Sequence, residues 1–328
     1  MRKSQARISM NINEMEDSLY YKYKQSRFYQ QRLPAWRPVP TIGAIICFYS
    51  LFSIIFIAIG VLLLIYSKQI KEIEIIYNDK CKSYKNEECK ISYTIPEDMD
   101  SPINIYYKIY GFYQNNRRYT QSKSLKQLSG ENLTLSEIIN DEDCSPIYTN
   151  GDLGLGESNF SADNTTPLNK SEVAIPCGIM AKTYFNDTFY NFLTNNVPIN
   201  INEKSIAWEK DKELFKNINL SLQWLDIENE HFIVWMRPSG LPDVKKLWGR
   251  IENVNLIKGD NLAITVKNNY DVDKFNGNKS IILSTSNKFG GNNNFLGLCF
   301  IIAGGISFLL NIAFIINHCI QKHKEKLN

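Results

Sequence analysis

The cysteines of this chain are the residues best suited to covalent chemistry. Three lie in or beside two long apolar runs (Cys47, Cys299 and Cys319), and four lie between the runs (Cys81, Cys89, Cys144 and Cys177). An even number of cysteines in a domain that faces an oxidising compartment predicts two disulfides. Four cysteines allow three pairings, and we favour the sequential one, Cys81–Cys89 with Cys144–Cys177. The alternative is four reduced cysteines in a cytosolic loop. A zinc site is not expected, because Cys-x-x-Cys spacing and partner histidines are missing.

Asn-x-Ser/Thr sequons, the acceptors of N-linked glycans, also lie between the apolar runs. They begin at Asn132, Asn159, Asn164, Asn169, Asn186, Asn219 and Asn278. None lies in either terminal segment, which agrees with a lumenal or extracellular region between the runs. We expect glycans at Asn132, Asn186, Asn219 and Asn278, and neither a cofactor nor a metal ion besides them.

Sequence motifs for catalysis are missing. There is no Gly-x-x-x-x-Gly-Lys loop and no serine nucleophile elbow, and the glycines from Gly151 to Gly156 have the wrong spacing for a dinucleotide-binding turn. Asp271 and Asp273 are typical of the start of a calcium loop, but the twelfth position is Ile282 instead of glutamate. We therefore predict no catalytic residue and no enzyme activity in this chain.

Two long apolar runs decide on which side of a membrane these residues lie. The first covers residues 42–66 and the second residues 295–317, and neither contains a charged residue. An apolar helix of roughly 20 residues spans the ~30 Å hydrocarbon core of a bilayer. The runs predict two transmembrane helices, which divide the chain into a segment 1–41, a large region 67–294 and a tail 318–328.

Charge favours cytosolic termini. Residues 1–41 carry eight Lys/Arg and three Asp/Glu, the tail carries three and one, and residues 67–294 carry 26 and 30. This difference follows the positive-inside tendency of membrane proteins. The lysines from Lys68 to Lys85 weaken the local signal, so the orientation rests on charge, cysteines and sequons together. The region 67–294 is called the ectodomain below.

The ectodomain has the composition of a mainly-β domain. Segments rich in β-branched and aromatic residues predict strands at residues 103–110, 232–235, 262–267 and 280–285. Short helices are predicted at residues 135–140 and 241–248, and a surface loop at residues 151–170. The domain is long enough to bury a core of its own.

Several motifs, in order along the chain, resemble one known family. They are residues 30–38 (QQRLPAWRP), 105–119 (IYYKIYGFYQNNRRY), 176–178 (PCG), 185–188 (FNDT), 229–237 (NEHFIVWMR), 269–270 (NY), 283–285 (LST) and 290–292 (GGN). Together they are similar to the CDC50/LEM3 family, the accessory (β) subunits of type IV P-type ATPases, the phospholipid flippases. The sequence departs from the family at Asn116, where members often have histidine, and in residues 151–170.

The resemblance implies two transmembrane α-helices flanking a disulfide-bonded, glycosylated ectodomain with an antiparallel, sandwich-like β core and short helices. Such a subunit forms a heterodimer with a catalytic P4-type ATPase, supports its folding and export from the endoplasmic reticulum, and is needed for phospholipid transport from the outer to the cytosolic leaflet. It contacts membrane lipids and no nucleic acid. Its home would be the endoplasmic reticulum, the Golgi and endosomes, or the plasma membrane. Asn186 is the sequon inside a matched motif.

Contacts with the ATPase are expected on both sides of the membrane, where aromatic residues and arginines form interfaces. The predicted contact residues are Gln31, Arg32, Leu33, Pro34, Trp36, Arg37, Tyr113, Arg117 and Arg118. Other interpretations remain open for some of them. Tyr113, like Trp235 and Met236, also fits a place in the β core, and Arg117, Arg118 and Arg237 also fit internal ion pairs.

Two other functions share this topology. One is a trimeric ligand-gated channel with two spans, although such channels carry more ectodomain cysteines and basic ligand-binding clusters. The other is a trafficking receptor that meets the ATPase only during export. In the second run, Gly304, Gly305 and Ser307 allow close packing against another membrane protein. The tail from Lys324 fits either a dilysine retrieval signal or a solvated basic end.

Overall fold

The structure is a computed structural model that describes residues 22, 24–32, 40–81, 88–287, 290–291 and 293–327. In chain order the helices are α1 (Ile42–Lys68), α2 (Arg117–Gln121), α3 (Leu125–Leu128), α4 (Leu135–Asp141), α5 (Asn150–Leu153), α6 (Ile179–Lys182), α7 (Glu209–Leu214), α8 (Glu230–Met236) and α9 (Asn294–Leu327). The strands are β1 (Glu72–Ile76), β2 (Glu88–Thr94), β3 (Ile103–Tyr110), β4 (Thr188–Thr194), β5 (Val197–Pro198), β6 (Val244–Ile251), β7 (Asn261–Lys267) and β8 (Asn278–Thr285). These residues form two compact units, one of residues 59–299 and one of the described residues before and after it.

Helices α1 and α9 are long and apolar enough to cross a membrane. Only 11% and 17% of their most apolar windows are buried within the chain. A core helix of a soluble protein would be mostly buried, so these exposed apolar faces fit a lipid surrounding. Helix α9 contains the second apolar run and continues to Leu327, so most of the predicted tail is helical.

In the terminal unit, the two helices pack through small and polar residues. The hydroxyl of Ser53 donates a hydrogen bond of 3.0 Å to the carbonyl of Gly304, and a Cβ at Gly304 would lie 3.2 Å from the carbonyl of Ser53. The amide of Asn311 donates to the hydroxyl of Ser50 at 2.7 Å. At Gly305 an added Cβ would meet nothing within 4 Å. Gly304 therefore serves packing within the chain, and Gly305 leaves an open notch.

The ectodomain is a sandwich of two antiparallel sheets. The first sheet has the strand order β1-β8-β3-β6, and the second has the order β2-β7-β4-β5. Residues from both sheets belong to one buried core. Across the sandwich, the rings of Phe189 on β4 and Trp248 on β6 lie 4.9 Å apart, and the ring of Phe185 stacks on Tyr107 of β3 at 4.0 Å. The predicted mainly-β fold between two apolar helices is confirmed.

Three of the four predicted strands and one of the two predicted helices are confirmed. Residues 103–110 form β3, residues 262–267 lie in β7 and residues 280–285 lie in β8. Residues 135–140 lie in α4, which begins at a capping box in which the backbone N–H of Thr134 donates to the Glu137 carboxylate at 2.8 Å. The predicted loop 151–170 begins within α5 and is irregular after it.

The strand predicted at residues 232–235 is wrong, because this segment lies in helix α8. The side chain of Asn229 caps the helix by accepting the backbone N–H of His231 at 2.9 Å, and Glu230 places an acid in its first turn. The buried residues of this helix are Phe232, Ile233, Trp235 and Met236, which have helical spacing. Capping and a helical burial pattern therefore outweigh the β preference of the isoleucine and valine.

The helix predicted at residues 241–248 is also wrong, because residues 244–251 form strand β6. Its burial alternates over most of its length, with Val244, Lys246 and Trp248 facing the interior. The strand pairs antiparallel with β3 from Val244 to Ile251, so tertiary pairing decides its conformation.

Candidate partner-binding surface

Both disulfides form in the sequential pairing. Cys81 and Cys89 are joined with a Cα–Cα distance of 5.6 Å and link the chain after β1 to strand β2, which belongs to the other sheet. Cys144 and Cys177 are joined with the same Cα–Cα distance of 5.6 Å. The first bridge therefore ties the two sheets together covalently.

The second disulfide lies in a small buried cluster of its own with Ile138 and Ala174. The fully buried side chain of Gln127 makes hydrogen bonds to both ends of the segment 174–177, which ends at the second cysteine of this bridge. Its amide donates to the carbonyl of Ala174 at 3.1 Å, and its oxygen accepts the N–H of Cys177 at 3.0 Å. A satisfied buried amide of this kind holds one backbone conformation in place.

A buried ion pair joins Asp187 to Lys279 at 2.6 Å, and both side chains are fully buried. The hydroxyl of Tyr77 donates to the same carboxylate at 2.7 Å, and the backbone N–H groups of Asn269 and Tyr270 donate to its other oxygen at 2.6 Å. Burial lowers the pKa of Lys279, and the Asp187 carboxylate opposes that shift. A buried pair with its remaining lone pairs satisfied keeps both charges in the interior.

This ion pair connects two predicted glycosylation sites. Asp187 is the middle residue of the sequon at Asn186, and Lys279 is the middle residue of the sequon at Asn278. Asn186 is exposed, whereas Asn278 is half-buried and its side chain accepts the N–H of Lys279 at 2.7 Å. The predicted sites Asn132 and Asn219 are also exposed. Of the four predicted acceptors, Asn278 is therefore the least accessible.

Two loops that each expose a large apolar side chain are joined to one another, and together they are called the Tyr113 tip here (residues 113–115 and 240–241). Tyr113 and Leu241 are 63% and 71% exposed. The loops are joined by a hydrogen bond of 3.1 Å from the amide of Asn115 to the carbonyl of Gly240. Of the two interpretations, a surface position and a core position, the structure places Tyr113 on the surface. Trp235 and Met236 lie in the core, but on a helix instead of a strand. Exposed apolar side chains on two joined loops have the character of an interface anchor.

Arg117 and Arg118 follow the Tyr113 tip on helix α2, and both are exposed. The side chain of Asn116 caps this helix by accepting the N–H of Arg118 at 2.9 Å. Within the described part of the chain, neither arginine takes part in an ion pair. The structure therefore leaves both guanidinium groups on the surface, beside the apolar tip.

Arg237 has an internal partner instead. Its guanidinium donates to both oxygens of the Asp211 carboxylate, from Nε to Oδ2 at 3.1 Å and from Nη2 to Oδ1 at 3.0 Å, and lies 3.8 Å from the ring of Trp208. A bidentate pair of this kind fixes the orientation of the guanidinium group, so Arg237 stiffens the loop that leads to the Tyr113 tip.

The predicted cytosolic contact residues are only partly described. Gln31 and Arg32 are exposed and end a turn in which the N–H of Arg32 donates to the carbonyl of Arg27 at 2.7 Å. Leu33, Pro34, Trp36 and Arg37 lie outside the described residues. Gln31 and Arg32 belong to the terminal unit, whereas Tyr113, Arg117 and Arg118 belong to the ectodomain.

Sequence reasoning missed several of these residues. Asp187 lies inside a matched motif, but nothing in the local sequence pairs it with Lys279, which is 92 positions away. Leu241 and Trp208 stand in polar surroundings, and their exposure follows from the tertiary fold. In the ranges that the structure describes, no group of three or more His, Cys, Asp or Glu side chains is arranged to hold a metal ion.

The fold and surface define a two-span membrane protein with a disulfide-bonded β-sandwich ectodomain. The sequence matches the family described as LEM3 (ligand-effect modulator 3) family / CDC50 family over residues 63–324. ALA-interacting subunit 3 of Arabidopsis thaliana is 34% identical, over 92% of this chain and 87% of that protein. Cell cycle control protein 50A of Bos taurus is 33% identical over 89% and 88%, and cell cycle control protein 50C of Bos taurus is 29% identical over 90% and 93%. The chain belongs to the CDC50/LEM3 family, as its motifs predicted.

Proposed function

We propose that this chain is the non-catalytic accessory subunit of a P4-type ATPase phospholipid flippase, and that it forms a heterodimer with the catalytic subunit. The observation that carries the proposal is the family match over residues 63–324, which covers the whole sandwich and reaches into both long helices. The relative named as an ALA-interacting subunit supports a role as a binding partner. ATP hydrolysis and the lipid pathway then belong to the ATPase.

The exposed features of the chain support a docking role. The Tyr113 tip and the neighbouring Arg117 and Arg118 provide an apolar anchor beside two unpaired cations, a combination common at the centre of protein interfaces. We assign this surface to the outer loops of the ATPase. Gln31 and Arg32, with the segment that follows them, are assigned to its cytosolic parts.

The helices support docking within the membrane. Gly305 leaves a notch on α9 that no residue in the described ranges fills. Small residues let transmembrane helices approach closely, so we assign this notch to a helix of the ATPase. Lipid contacts would cover the remaining apolar faces of α1 and α9.

Topology and processing follow from the same proposal. The termini would be cytosolic and the ectodomain lumenal or extracellular, where disulfides persist and N-linked glycans are added. The exposed sequons Asn132, Asn186 and Asn219 support glycosylation. The chain would support folding of the ATPase and its export from the endoplasmic reticulum towards Golgi, endosomal or plasma membranes.

The test is co-purification of the full chain from its native membranes in mild detergent, followed by activity measurements. We expect a P4-type ATPase in one-to-one ratio, and lipid-stimulated ATP hydrolysis and lipid transport that both require the chain. Activity of the exported, purified complex, measured before and after the chain has been dissociated from the ATPase, gives the matched control for a role in export alone.

Two outcomes would contradict the proposal. A homotrimer without an ATPase would indicate the ligand-gated channel. An ATPase that keeps its full lipid-stimulated turnover after the chain is removed from the exported complex would indicate the trafficking receptor.

A further inference from the structure

An open cavity of about 380 Å³ lies in the ectodomain between α7, the end of α8 and strand β6. Its walls include Trp208, Asp211, Arg237, Lys245 and Lys246. We call it the Trp208 cavity. Neither the disulfide cysteines, the sequon asparagines nor the residues of the Tyr113 tip line it, so the function proposed above makes no use of it.

The charges on the cavity wall do not balance. The Asp211 carboxylate pairs with Arg237 at 2.9 Å, and Lys245 pairs with Glu72 at 2.8 Å. Lys246 has no carboxylate partner within ion-pair distance in the described residues. Its ammonium group donates to the carbonyl of Arg237. The cavity therefore holds one cation that no acid of the described chain neutralises.

Lys246 is also unusually buried for such a cation, with 8% of its surface exposed. A buried charge without a counter-charge is costly, so it loses its proton more readily or takes up an anion. Burial, and then the nearby Arg237 guanidinium, lower the pKa of Lys246 to about 8. The group is thus mostly protonated at neutral pH and still lacks a counterion.

We propose that the Trp208 cavity binds a small oxyanion, a phosphate or a carboxylate, against the ammonium group of Lys246. One negative charge would complete the charge balance of the wall, and the remaining protons of the ammonium group would donate to the anion. The exposed indole of Trp208 lines the cavity, and the Arg237 guanidinium lies over its ring. The proposal concerns the chain alone and does not depend on an ATPase.

The experiment is a calorimetric titration of the full-length chain in dodecyl maltoside with inorganic phosphate and, separately, with acetate, at constant ionic strength. Wild type is compared with Lys246→Met, which keeps the apolar stem, and with Lys258→Gln, an exposed lysine outside the cavity. We expect saturable binding to wild type and to Lys258→Gln, and a loss of affinity of about tenfold or more in Lys246→Met. Binding of only one of the two anions also supports the site and shows whether it prefers a phosphate or a carboxylate.

A pH series with acetate gives a second, independent result. Acetate keeps its charge between pH 7 and pH 9. The other charged or titratable groups around the cavity are Arg237, Asp211, Lys245 with its partner Glu72, and Tyr106, and burial raises the pKa of Tyr106 further from this range. Because the protonated fraction of Lys246 falls about tenfold from pH 7 to pH 9, the acetate affinity should fall by a similar factor. A flat profile contradicts the assignment to Lys246.

Wild-type protein also provides a test without any substitution. Acylation of Lys246 by an amine-reactive reagent at pH 8, followed by peptide mass spectrometry, should be slowed by phosphate, whereas acylation of Lys258 should not. The proposal is overturned if neither phosphate nor acetate slows the acylation of Lys246, or if the acylation of both lysines is slowed equally. Equal binding of both anions to wild type and to folded Lys246→Met overturns it as well.

Discussion

Asp187 and Lys279 link the buried core to two of the predicted glycosylation sites. Each occupies the variable position of a sequon, and the two meet in the core at 2.6 Å. The backbone of Asn186 is held on two sides. Its neighbour Asp187 is buried, and its own carbonyl accepts a hydrogen bond of 3.2 Å from the side-chain amide of Asn269. The ion pair presents Asn186 on the surface at a fixed position.

Lys279→Met should destabilise the ectodomain strongly. It leaves the Asp187 carboxylate buried without its counter-charge, which costs about 3–5 kcal/mol in proteins where a buried pair is broken. We expect this loss in chemical denaturation of the full-length chain followed by tryptophan fluorescence. The matched control is Lys126→Met, which breaks the exposed pair with Asp141 and should change the midpoint far less. Equal effects of the two substitutions would show that the buried pair is unimportant.

Glycan occupancy should follow the exposure of the four predicted acceptors. Asn132, Asn186 and Asn219 are exposed, and Asn278 is half-buried at the start of β8. We expect high occupancy at the first three sites and the lowest at Asn278, because a bulky glycan there would press on the paired strand. Glycopeptide mass spectrometry of protein from eukaryotic cells measures this order. Full occupancy at Asn278 would show that the strand tolerates the glycan.

The sequence revealed some residue roles and concealed others. Cysteine number and order were enough to favour the pairing that the structure contains, because each sequential partner is also the nearest in the chain. The role of Lys279 was concealed, since a lysine within a β-rich segment is usually solvated and only the tertiary fold brings Asp187 and Tyr77 to it.

At the scale of elements, α1 and α9 pack against each other through one face of α9, and a second face of α9 stays open. Gly304 lies against Ser53 and Ile57 of α1, whereas Gly305 has open space at its Cβ position. A leucine at position 304 would force the helices of the isolated chain apart, and a leucine at 305 would not.

Gly304→Leu should therefore lower the thermal stability of the isolated chain in detergent, and Gly305→Leu should leave it nearly unchanged. If Gly305 receives a helix of the ATPase, Gly305→Leu should instead reduce recovery of the heterodimer several-fold. Differential scanning measurements on the isolated chain and co-purification from membranes separate the two effects. A Gly305→Leu chain that recovers the ATPase fully would remove the notch from the interface.

The Tyr113 tip should carry binding energy and little folding energy. Tyr113→Ala combined with Leu241→Ala removes two exposed side chains, so the ectodomain should keep its stability while ATPase recovery falls by about tenfold or more, as for an interface hot spot. Ile257→Ala, which changes an isoleucine that is 60% exposed elsewhere on the ectodomain, is the control. Equal recovery with both variants would place the interface elsewhere.

Element types were predictable where local preference and tertiary contacts agree. Residues 103–110 and 280–285 are rich in β-branched or aromatic residues, and they pair with each other as β3 and β8. The two errors occur where the signals conflict. Phe232 to Trp235 favours a strand by composition but begins after an asparagine cap, and residues 244–248 resemble a short helix but complete a sheet edge beside β3.

At the scale of the whole molecule, the disulfides stabilise the ectodomain to different extents. In the chain-entropy model, a bridge with a sequence separation of 33 contributes more than one with a separation of 8. The expected contributions are about 3.8 and 2.6 kcal/mol. Replacing Cys144 and Cys177 by alanine should therefore lower Tm more than replacing Cys81 and Cys89. The comparison uses full-length chains in detergent, and the reverse order would show that the link between the two sheets matters more.

The overall plan of the molecule was accessible from the sequence because bilayer thickness and apolar run length leave few alternatives. Residues 42–66 and 295–317 lie within the long helices, and mainly-β composition gave the class of the domain between them. The strand order and the cavity beside Trp208 depend on pairings between distant segments, and these leave no local signal in a single sequence.

Strand β8 is the last strand of the ectodomain to be synthesised, and yet it lies between β1 and β3 in the middle of its sheet. While the ribosome makes the residues from β3 to β8, both neighbouring strands therefore wait with unpaired edges that face the place of the missing strand. Open strand edges attract other chains and favour aggregation. A chain truncated before Asn278 would keep both of these edges exposed, so the ectodomain can close its first sheet only after nearly all of its sequence has been made.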